Sequence, residues 1–196
     1  MMGDMRRDAN ATRQRILEVA TAEFARHGIA GARVDRIAAA AGCNKAMLYA
    51  YFESKDRLFD AVFDAVVARN VSDVPIDADD LPEYAARLSD QYARYPEVVR
   101  LATWDRLERG GAGARTPVVV EASAHKVAEI ERAQGAGLVS GHLPAATLLD
   151  LVYAVAQARL ASVGGDGEAS GETGGEAPSA ERRRVVKDAV ARLVRP

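Results

Sequence analysis

The side chains best suited to bind another molecule lie between Gly42 and Lys55, in a segment that holds one short helical pattern between two turns. Leu48 and Phe52, four residues apart, form the apolar inner side of that pattern. Its outer side is small or polar at the start and carries tyrosines further on. A helix this short is not stable alone in water. We therefore expect the second helix of a helix-turn-helix, which a core supports and which presents its outer face to DNA.

Three further helical patterns must hold this segment in place. The first begins at Thr12, a good cap, and ends at Gly28, where a left-handed residue is expected. The second covers about 34–41, and the last begins after the cap Ser54. The segment 1–10 is expected to be a flexible arm. The sequence thus predicts a small helical domain at the N-terminus.

Several motifs of this domain resemble the TetR family of bacterial transcriptional regulators, in the order and at the spacing of that family. They are Thr12-Arg13-Gln14-Arg15-Ile16-Leu17, Phe24-Ala25-Arg26-His27-Gly28, Ile37-Ala38-Ala39-Ala40-Ala41-Gly42 and Leu48-Tyr49-Ala50-Tyr51-Phe52-Glu53-Ser54-Lys55. The likeness covers about 12–62. Further along, the chain is similar to the family only in the number and placement of its predicted helices.

The resemblance implies that the third helix, at about 45–51, lies in the major groove of DNA. Its first turn then faces the bases, where Lys45 can donate to guanine O6 and N7 and where apolar side chains can contact a thymine methyl. The residues expected at base edges are Asn44, Lys45, Ala46 and Met47. The residues expected at phosphates are Tyr49, Tyr51, Lys55 and Arg33, the last standing where many relatives have a capping threonine.

The charge distribution agrees with a small basic N-terminal domain followed by an acidic remainder of the chain. The 196-residue chain has a net charge of −2. Residues 1–57 hold ten Lys/Arg and seven Asp/Glu, a balance of +3, which leaves −5 for the remainder. A single cysteine, no apolar leader and no long apolar run favour a cytoplasmic protein without a membrane segment. No catalytic, metal or nucleotide motif is present, so neither an enzyme nor a cofactor is expected.

The fold class predicted from these patterns is all-α, because strand-like alternation is absent. We expect a helix-turn-helix domain over 1–54 and a ligand-binding and dimerisation domain over 55–196. Glycine and acidic residues dominate 164–178, which predicts a disordered loop. The helices expected in the second domain cover about 82–94, 97–109, 117–135, 145–163 and 179–194.

Aromatic and polar residues beyond residue 80 suggest a pocket for a small-molecule effector. The residues assigned to it are Tyr92, Arg100, Trp104, Glu108, His125 and Tyr153. For any single one of them the better interpretation is an ordinary helical core, whose tyrosines reach the surface with their hydroxyls. Trp104 is the strongest assignment, because the resemblance places its helix beside both a cavity and the DNA-binding domain.

The last two predicted helices are so apolar that one chain is not expected to cover them. Pairing with symmetry mates would form a four-helix bundle and a homodimer. The interface residues predicted on this basis are Leu148, Leu149, Val152, Val155, Val186, Val190 and Leu193.

These inferences together predict a ligand-responsive repressor that binds a palindromic operator in double-stranded DNA as a dimer. Two alternatives are open at this point. One is an activator, or a regulator that needs its ligand to bind DNA, with the same fold. The other is an all-α small-molecule binding protein whose N-terminal helices only pack. A sequence-specific complex with DNA would exclude the second alternative.

Overall fold

The computed structural model describes residues 2–158 and 177–195, and these residues form helices and no strand. The all-α prediction is therefore confirmed for this part of the chain. The helices are α1 Met2–Gly31, α2 Val34–Ala40, α3 Lys45–Phe52, α4 Lys55–Asp73, α5 Leu81–Arg94, α6 Glu97–Arg109, α7 Pro117–Gly135, α8 Ala145–Gln157 and α9 Ala177–Val194, with one 3-10 turn at Gly113–Arg115.

The start of the chain differs from the expectation of an arm over 1–10, because α1 already begins at Met2. No proline follows Gly3 in this stretch, and adding residues to an existing helix is easier than starting a new one. Thr12 therefore lies inside α1 and not at its cap. At the other end the expected break is confirmed, since Gly28 has a φ of 73° and interrupts the helix.

Two of the predicted helix caps are made by the expected side chains. The Asn44 side chain accepts a hydrogen bond from the backbone N–H of Met47 at 2.7 Å and opens α3. Ser54 Oγ accepts one from the backbone N–H of Arg57 at 3.1 Å, at the start of α4. Each bond satisfies one of the N–H groups that a helix leaves free at its first turn.

The chain forms two compact units. Unit 1 comprises Met1–Arg69 and Pro96–Glu121, and unit 2 comprises Asn70–Tyr95 and Ala122–Pro196, as far as these residues are described. α4 and α7 each begin in unit 1 and end in unit 2. No helix in the described part of the chain is long and apolar enough to cross a bilayer.

The core of unit 1 is built around aromatic rings. Phe24 and Phe59 meet edge to face with ring centroids 5.3 Å apart, and Phe63 stacks on Phe59 at 5.9 Å. Ile16 and Leu48 are fully buried in the same core. This packing fixes α3, which is too short to be stable alone.

Unit 2 has its own core, in which α5 packs against α8 and α9. One expectation fails here, because one chain does cover most of the apolar surface of α8 and α9. Only Val155 and Leu193 of the predicted interface residues are half-buried. The buried ones are Leu148, Leu149, Val152, Val186 and Val190. α5 supplies the neighbour that the apolar pattern of α8 required.

The observed end of α8 and the observed start of α9 differ from the predicted bounds of the loop between them. α8 was expected over 145–163 but ends at Gln157. The predicted disordered loop 164–178 lies outside the described residues up to 176, and its last two positions belong to the first turn of α9.

Candidate nucleic-acid interface

α3 turns one side to the core of unit 1 and the other to solvent. Leu48 and Phe52 are buried, and Tyr49 and Tyr51 are half-buried beside the same core. The exposed positions at the start of the helix are Asn44, Lys45, Ala46 and Met47. These are the residues expected at base edges, so the fold leaves them accessible together. Both tyrosines can pack with their rings and still present their hydroxyls.

Lys45 is held by α2 in this structure. Its Nζ lies 3.2 Å from Asp35 Oδ1 and 3.4 Å from Oδ2. The Lys45 side chain is 52% exposed and that of Asp35 is 75% exposed, so water screens this pair strongly. A base or phosphate could therefore replace Asp35 as the partner of Lys45 at small cost. The sequence placed Asp35 on α2, and α2 lies against α3 in the fold.

The start of α2 is capped from α1. Arg33 is the cap residue and its side chain makes no cap hydrogen bond. Instead Glu23 Oε1 accepts the backbone N–H of Arg33 at 2.9 Å and the guanidinium of Arg36 at 2.5 Å. An arginine side chain has no hydrogen-bond acceptor and cannot cap a helix start, but the sequence did not reveal that Glu23 takes this role. The exposed Arg33 side chain is thus left available to an external partner.

The pKa of Glu23 is subject to two opposing effects. Burial acts to raise its pKa, but hydrogen bonds from Arg36 and Arg33, with the charge of Arg36, outweigh that effect. The pKa of Glu23 is therefore lowered. The carboxylate stays ionised at neutral pH and joins α1 to α2.

Lys55 has a structural task besides its predicted contact with phosphate. Its Nζ donates to the carbonyl oxygens of Ala30 and Ala32, both at 3.1 Å. These carbonyls belong to the turn between α1 and α2, so Lys55 fixes that turn to the start of α4. An ammonium has three N–H donors, and one remains for an anion.

α6 braces the same turn from another side. Glu108 Oε2 accepts the backbone N–H of Ala30 at 2.7 Å, and Trp104 Nε1 donates to the carbonyl oxygen of Ala25 at 3.4 Å. A Cβ on Gly28 would lie 2.6 Å from Glu108 Oε1 and 3.1 Å from the Trp104 ring. Glycine is required at this close approach. Trp104 and Glu108, predicted to line an effector pocket, thus contact the end of α1.

The six residues predicted to bind an effector do not belong to one compact unit. Arg100, Trp104 and Glu108 belong to unit 1, whereas Tyr92, His125 and Tyr153 belong to unit 2. His125 is exposed on α7. Arg100 lines an open cleft of about 640 Å³ in unit 1, between the helices α1, α4 and α6.

Unit 2 contains a buried charge that the sequence prediction missed. Lys126 on α7 is only 4% exposed, and its Nζ donates to the Tyr153 hydroxyl at 2.9 Å. The spacing of Lys126, Ile130 and Ala133 places the lysine on the buried stripe of α7, so helical periodicity could have identified it. Tyr92 and Tyr153 pack against the core of this unit.

Comparison with known proteins covers nearly the whole chain. The family model "Bacterial regulatory proteins, tetR family" matches residues 16–62, and "Tetracyclin repressor-like, C-terminal domain" matches 80–192. The chain is 41% identical to the HTH-type transcriptional repressor SCO4008 of Streptomyces coelicolor, over 96% of this chain and 97% of the relative. It is 33% identical to the repressor NicS of Pseudomonas putida, over 52% of this chain and 51% of that protein.

Solved structures agree with the sequence relatives. SCO4942 of Streptomyces coelicolor is 34% identical with a TM-score of 0.73, and covers 94% of this chain and 99% of its own. A protein from Marinobacter aquaeolei has the same fold at 23% identity, with a TM-score of 0.69 over 96% of this chain and 98% of its own. With an exposed α3 on a helix-turn-helix core and both family models matched, the chain belongs to the TetR family of bacterial regulatory proteins and is a DNA-binding transcriptional regulator, not an enzyme.

Proposed function

We propose that this protein is a repressor that binds a palindromic operator as a homodimer and releases it when a small molecule binds unit 2. The observation that carries the proposal is the exposed first turn of α3 on a buried base of Leu48 and Phe52. Two relatives of this chain, SCO4008 and NicS, are named transcriptional repressors, which favours a repressor over an activator.

We assign the base contacts to the start of α3. Lys45 can form a bidentate contact with guanine once it leaves Asp35, and the 43% exposed Met47 can contact a thymine methyl. Ala46 and Asn44 stand beside them. Because Asn44 Oδ1 accepts the cap bond, only its amide N–H₂ is free to donate to a base.

We assign the phosphate contacts to Arg33, Lys55, Tyr49 and Tyr51. The start of α4 offers backbone N–H groups and a positive dipole end close to Lys55, both of which favour an anion. Arg33 is exposed at the start of α2, where its guanidinium can bind a phosphate. Together these residues would fix the orientation of α3 in the groove.

The dimer is assigned to the outer sides of α8 and α9. Most of the side chains first predicted there are buried within one chain, so the interface must use the half-buried flank. Leu151 and Val155 share one side of α8, and Val185 and Ala189 share one side of α9 with Leu193. Two copies that bind a palindrome need their recognition helices about 34–36 Å apart, one turn of DNA.

Release of DNA requires that the effector prefer a conformation that does not fit the operator. α4 offers the route, because it begins at Lys55 beside the turn that Lys55 fixes and ends in unit 2. A small shift of α4 would move Lys55 and, with it, the spacing of the two recognition helices.

Selection of binding sites from random DNA, followed by a gel shift, tests the proposal. We expect a two-fold symmetric site, bound by two chains in sedimentation. Lys55→Ala should weaken binding to all sequences alike and reduce the salt dependence. Lys55 also fixes the turn before α2, so the thermal midpoint of unfolding of the Lys55→Ala variant must be measured in parallel to show that it is folded. Selection of no sequence, or of a half-site bound by one chain, would contradict the proposal.

A further inference from the structure

Lys126 is a buried cation without an anionic partner among the described residues. It is 4% exposed, and its Nζ lies 2.9 Å from the hydroxyl of Tyr153 and 5.3 Å from the centroid of the same ring. None of the ion pairs among the described residues involves Lys126. Buried charges in proteins are normally paired, so this arrangement is an exception that calls for a partner.

Three other buried polar atoms of unit 2 also lack a partner. Asn70 Oδ1, Tyr84 Oη and Ser89 Oγ are buried and make no hydrogen bond. The three residues are 8%, 0% and 2% exposed, respectively. They come from the end of α4 and from α5. Buried polar groups are normally hydrogen-bonded, so these three atoms are available to a bound molecule.

The tyrosine hydroxyls in this core are donors. Burial raises the pKa of Tyr84, and the nearby Tyr153 and Tyr92 raise it further. Burial also raises the pKa of Tyr92, with a further contribution from Tyr153. These hydroxyls therefore keep their protons at neutral pH and can each donate one hydrogen bond.

The surroundings of these polar groups are apolar. Tyr84 belongs to one core with Leu88 and Ile130, and Tyr153 packs against the same core beside Val152. A ligand that meets Lys126 and the tyrosine hydroxyls would therefore have its remaining atoms among aliphatic side chains. Lys126, Tyr153 and Tyr84 are therefore polar groups close together within an apolar core, which is the chemical setting of many small-molecule sites.

We propose that unit 2 binds a small organic carboxylate with an apolar body, whose carboxylate pairs with Lys126 and accepts hydrogen bonds from Tyr153 and Tyr84. This inference rests on the proposed function, since such a carboxylate would be the effector. It replaces Arg100, Trp104, Glu108 and His125 as effector contacts with Lys126 and Tyr84. It keeps Tyr153 and places Tyr92 beside the anion.

The experiment compares carboxylates with their neutral amides on the full-length protein. Benzoate, 2-hydroxybenzoate and decanoate are titrated against benzamide, 2-hydroxybenzamide and decanamide at matched ionic strength, by calorimetry and by thermal midpoint. We expect at least one carboxylate to bind about tenfold or more tightly than its amide, as a charge-assisted pair predicts. A panel in which no carboxylate exceeds its amide would overturn the proposal.

Lys126→Met provides the second arm. An unpaired buried cation replaced by an apolar side chain of similar length should raise the thermal midpoint of the ligand-free protein and remove the preference for carboxylates. His125→Gln, one residue away on the exposed side of α7, should change neither quantity. If Lys126→Met lowers the ligand-free midpoint, or retains the carboxylate preference, the assignment of Lys126 is wrong.

A third arm tests whether acids of the chain itself pair with Lys126. Asp166, Glu168, Glu172 and Glu176 are changed together to their amides, once in the wild-type chain and once in the Lys126→Met variant. We expect the change to leave the thermal midpoint of each parent protein unaltered. A loss that occurs only when Lys126 is present would identify an internal partner and overturn the proposal.

Operator binding without ligand is measured first. Its failure would contradict the proposed function, whereas carboxylate binding by calorimetry would be unaffected.

Discussion

The two compact units treat buried charge in opposite ways. In unit 1, Asp105 is 2% exposed, and its two oxygens accept the backbone N–H of Gly113 at 2.9 and 3.0 Å, with Arg109 Nη1 at 3.6 Å. In unit 2, Lys126 is 4% exposed and has one phenol as its polar partner in the described part of the chain. In unit 1 the buried carboxylate of Asp105 thus has partners within the unit, although Arg109 Nη1 makes no hydrogen bond. Unit 2 leaves groups unsatisfied where a ligand is expected.

At their surfaces the two units are more alike. Among the described residues, each has a carboxylate whose pKa is lowered by basic neighbours. In unit 1 burial opposes this effect at Glu23, but the bonds from Arg36 and Arg33 prevail. In unit 2 the hydrogen bond from Lys187 at 2.8 Å is the main cause for Glu83, assisted by Arg183. The contrast between the units is therefore confined to their interiors.

The largest effect is expected from a charge placed in the core of unit 2. Val190→Asp puts a carboxylate at a fully buried position and should cost more than about 4 kcal/mol of stability. The chain should then unfold. Thermal and urea unfolding measure this.

The matched control is a charge on the flank of the same two helices. Val155→Asp with Val185→Asp changes half-buried positions. It should give a folded monomer by sedimentation, with operator affinity lost. A Val190→Asp variant that folds would contradict the core position of Val190, and a flank variant that stays dimeric would contradict the proposed interface.

The next effect tests the close packing within unit 1. Gly28→Ala places a Cβ 2.6 Å from Glu108 Oε1 at a residue with a φ of 73°. It should destabilise the protein by roughly 1–3 kcal/mol. Gly31→Ala is the control, because its nearest neighbour would be His27 Cβ at 3.6 Å and its φ is ordinary. Thermal unfolding of both variants checks this. Equal thermal midpoints would contradict the close contact between α1 and α6.

The third prediction concerns acid stability. Because the pKa of Glu23 in the folded protein lies below its ordinary value of 4.5, its ionised form stabilises the fold above that pH. This contribution is lost as pH falls through the folded-state pKa. Glu23→Gln should cost about 1 kcal/mol at neutral pH, as loss of a helix cap does, and less at lower pH. Urea unfolding at several pH values checks this, and a pH-independent difference would contradict it.

Much of the fold follows from local signals in the sequence. Asn44 and Ser54 cap the helices they were expected to cap, and Gly28 has the positive φ expected after a helical pattern, although its ψ of 179° is extended and not left-handed helical. The helices predicted at about 97–109 and 117–135 likewise have those bounds in the structure, as α6 and α7. These signals involve residues a few positions apart, which is why they can be read from one sequence.

What the sequence did not reveal depends on contacts between distant residues. Glu23 caps α2 from 10 residues away, and Glu108 reaches Ala30 across 78 residues. The apolar pattern of α8 showed that neighbours were needed but could not show that α5 of the same chain supplies them. Trp104 was assigned to a pocket for the same reason, since its contact with Gly28 is visible only in the fold.

The smallest expected effect lies at the recognition helix itself. Asp35→Asn removes the exposed partner of Lys45, so stability should change by less than about 0.5 kcal/mol. Affinity for non-specific DNA should rise and its salt dependence should steepen, because Lys45 loses a competitor for phosphate. Titration with mixed-sequence DNA at two salt concentrations measures this. Unchanged binding would show that Asp35 does not restrain Lys45.

The most direct test of the central claim, that α3 reads the operator, is base discrimination by Lys45→Ala. Wild type and variant are titrated against every single-base change of the selected operator. We predict that the variant loses roughly 1–3 kcal/mol of discrimination at one position in each half-site and keeps it elsewhere. Discrimination that is unchanged at every position, or lost equally at all of them, would contradict the claim.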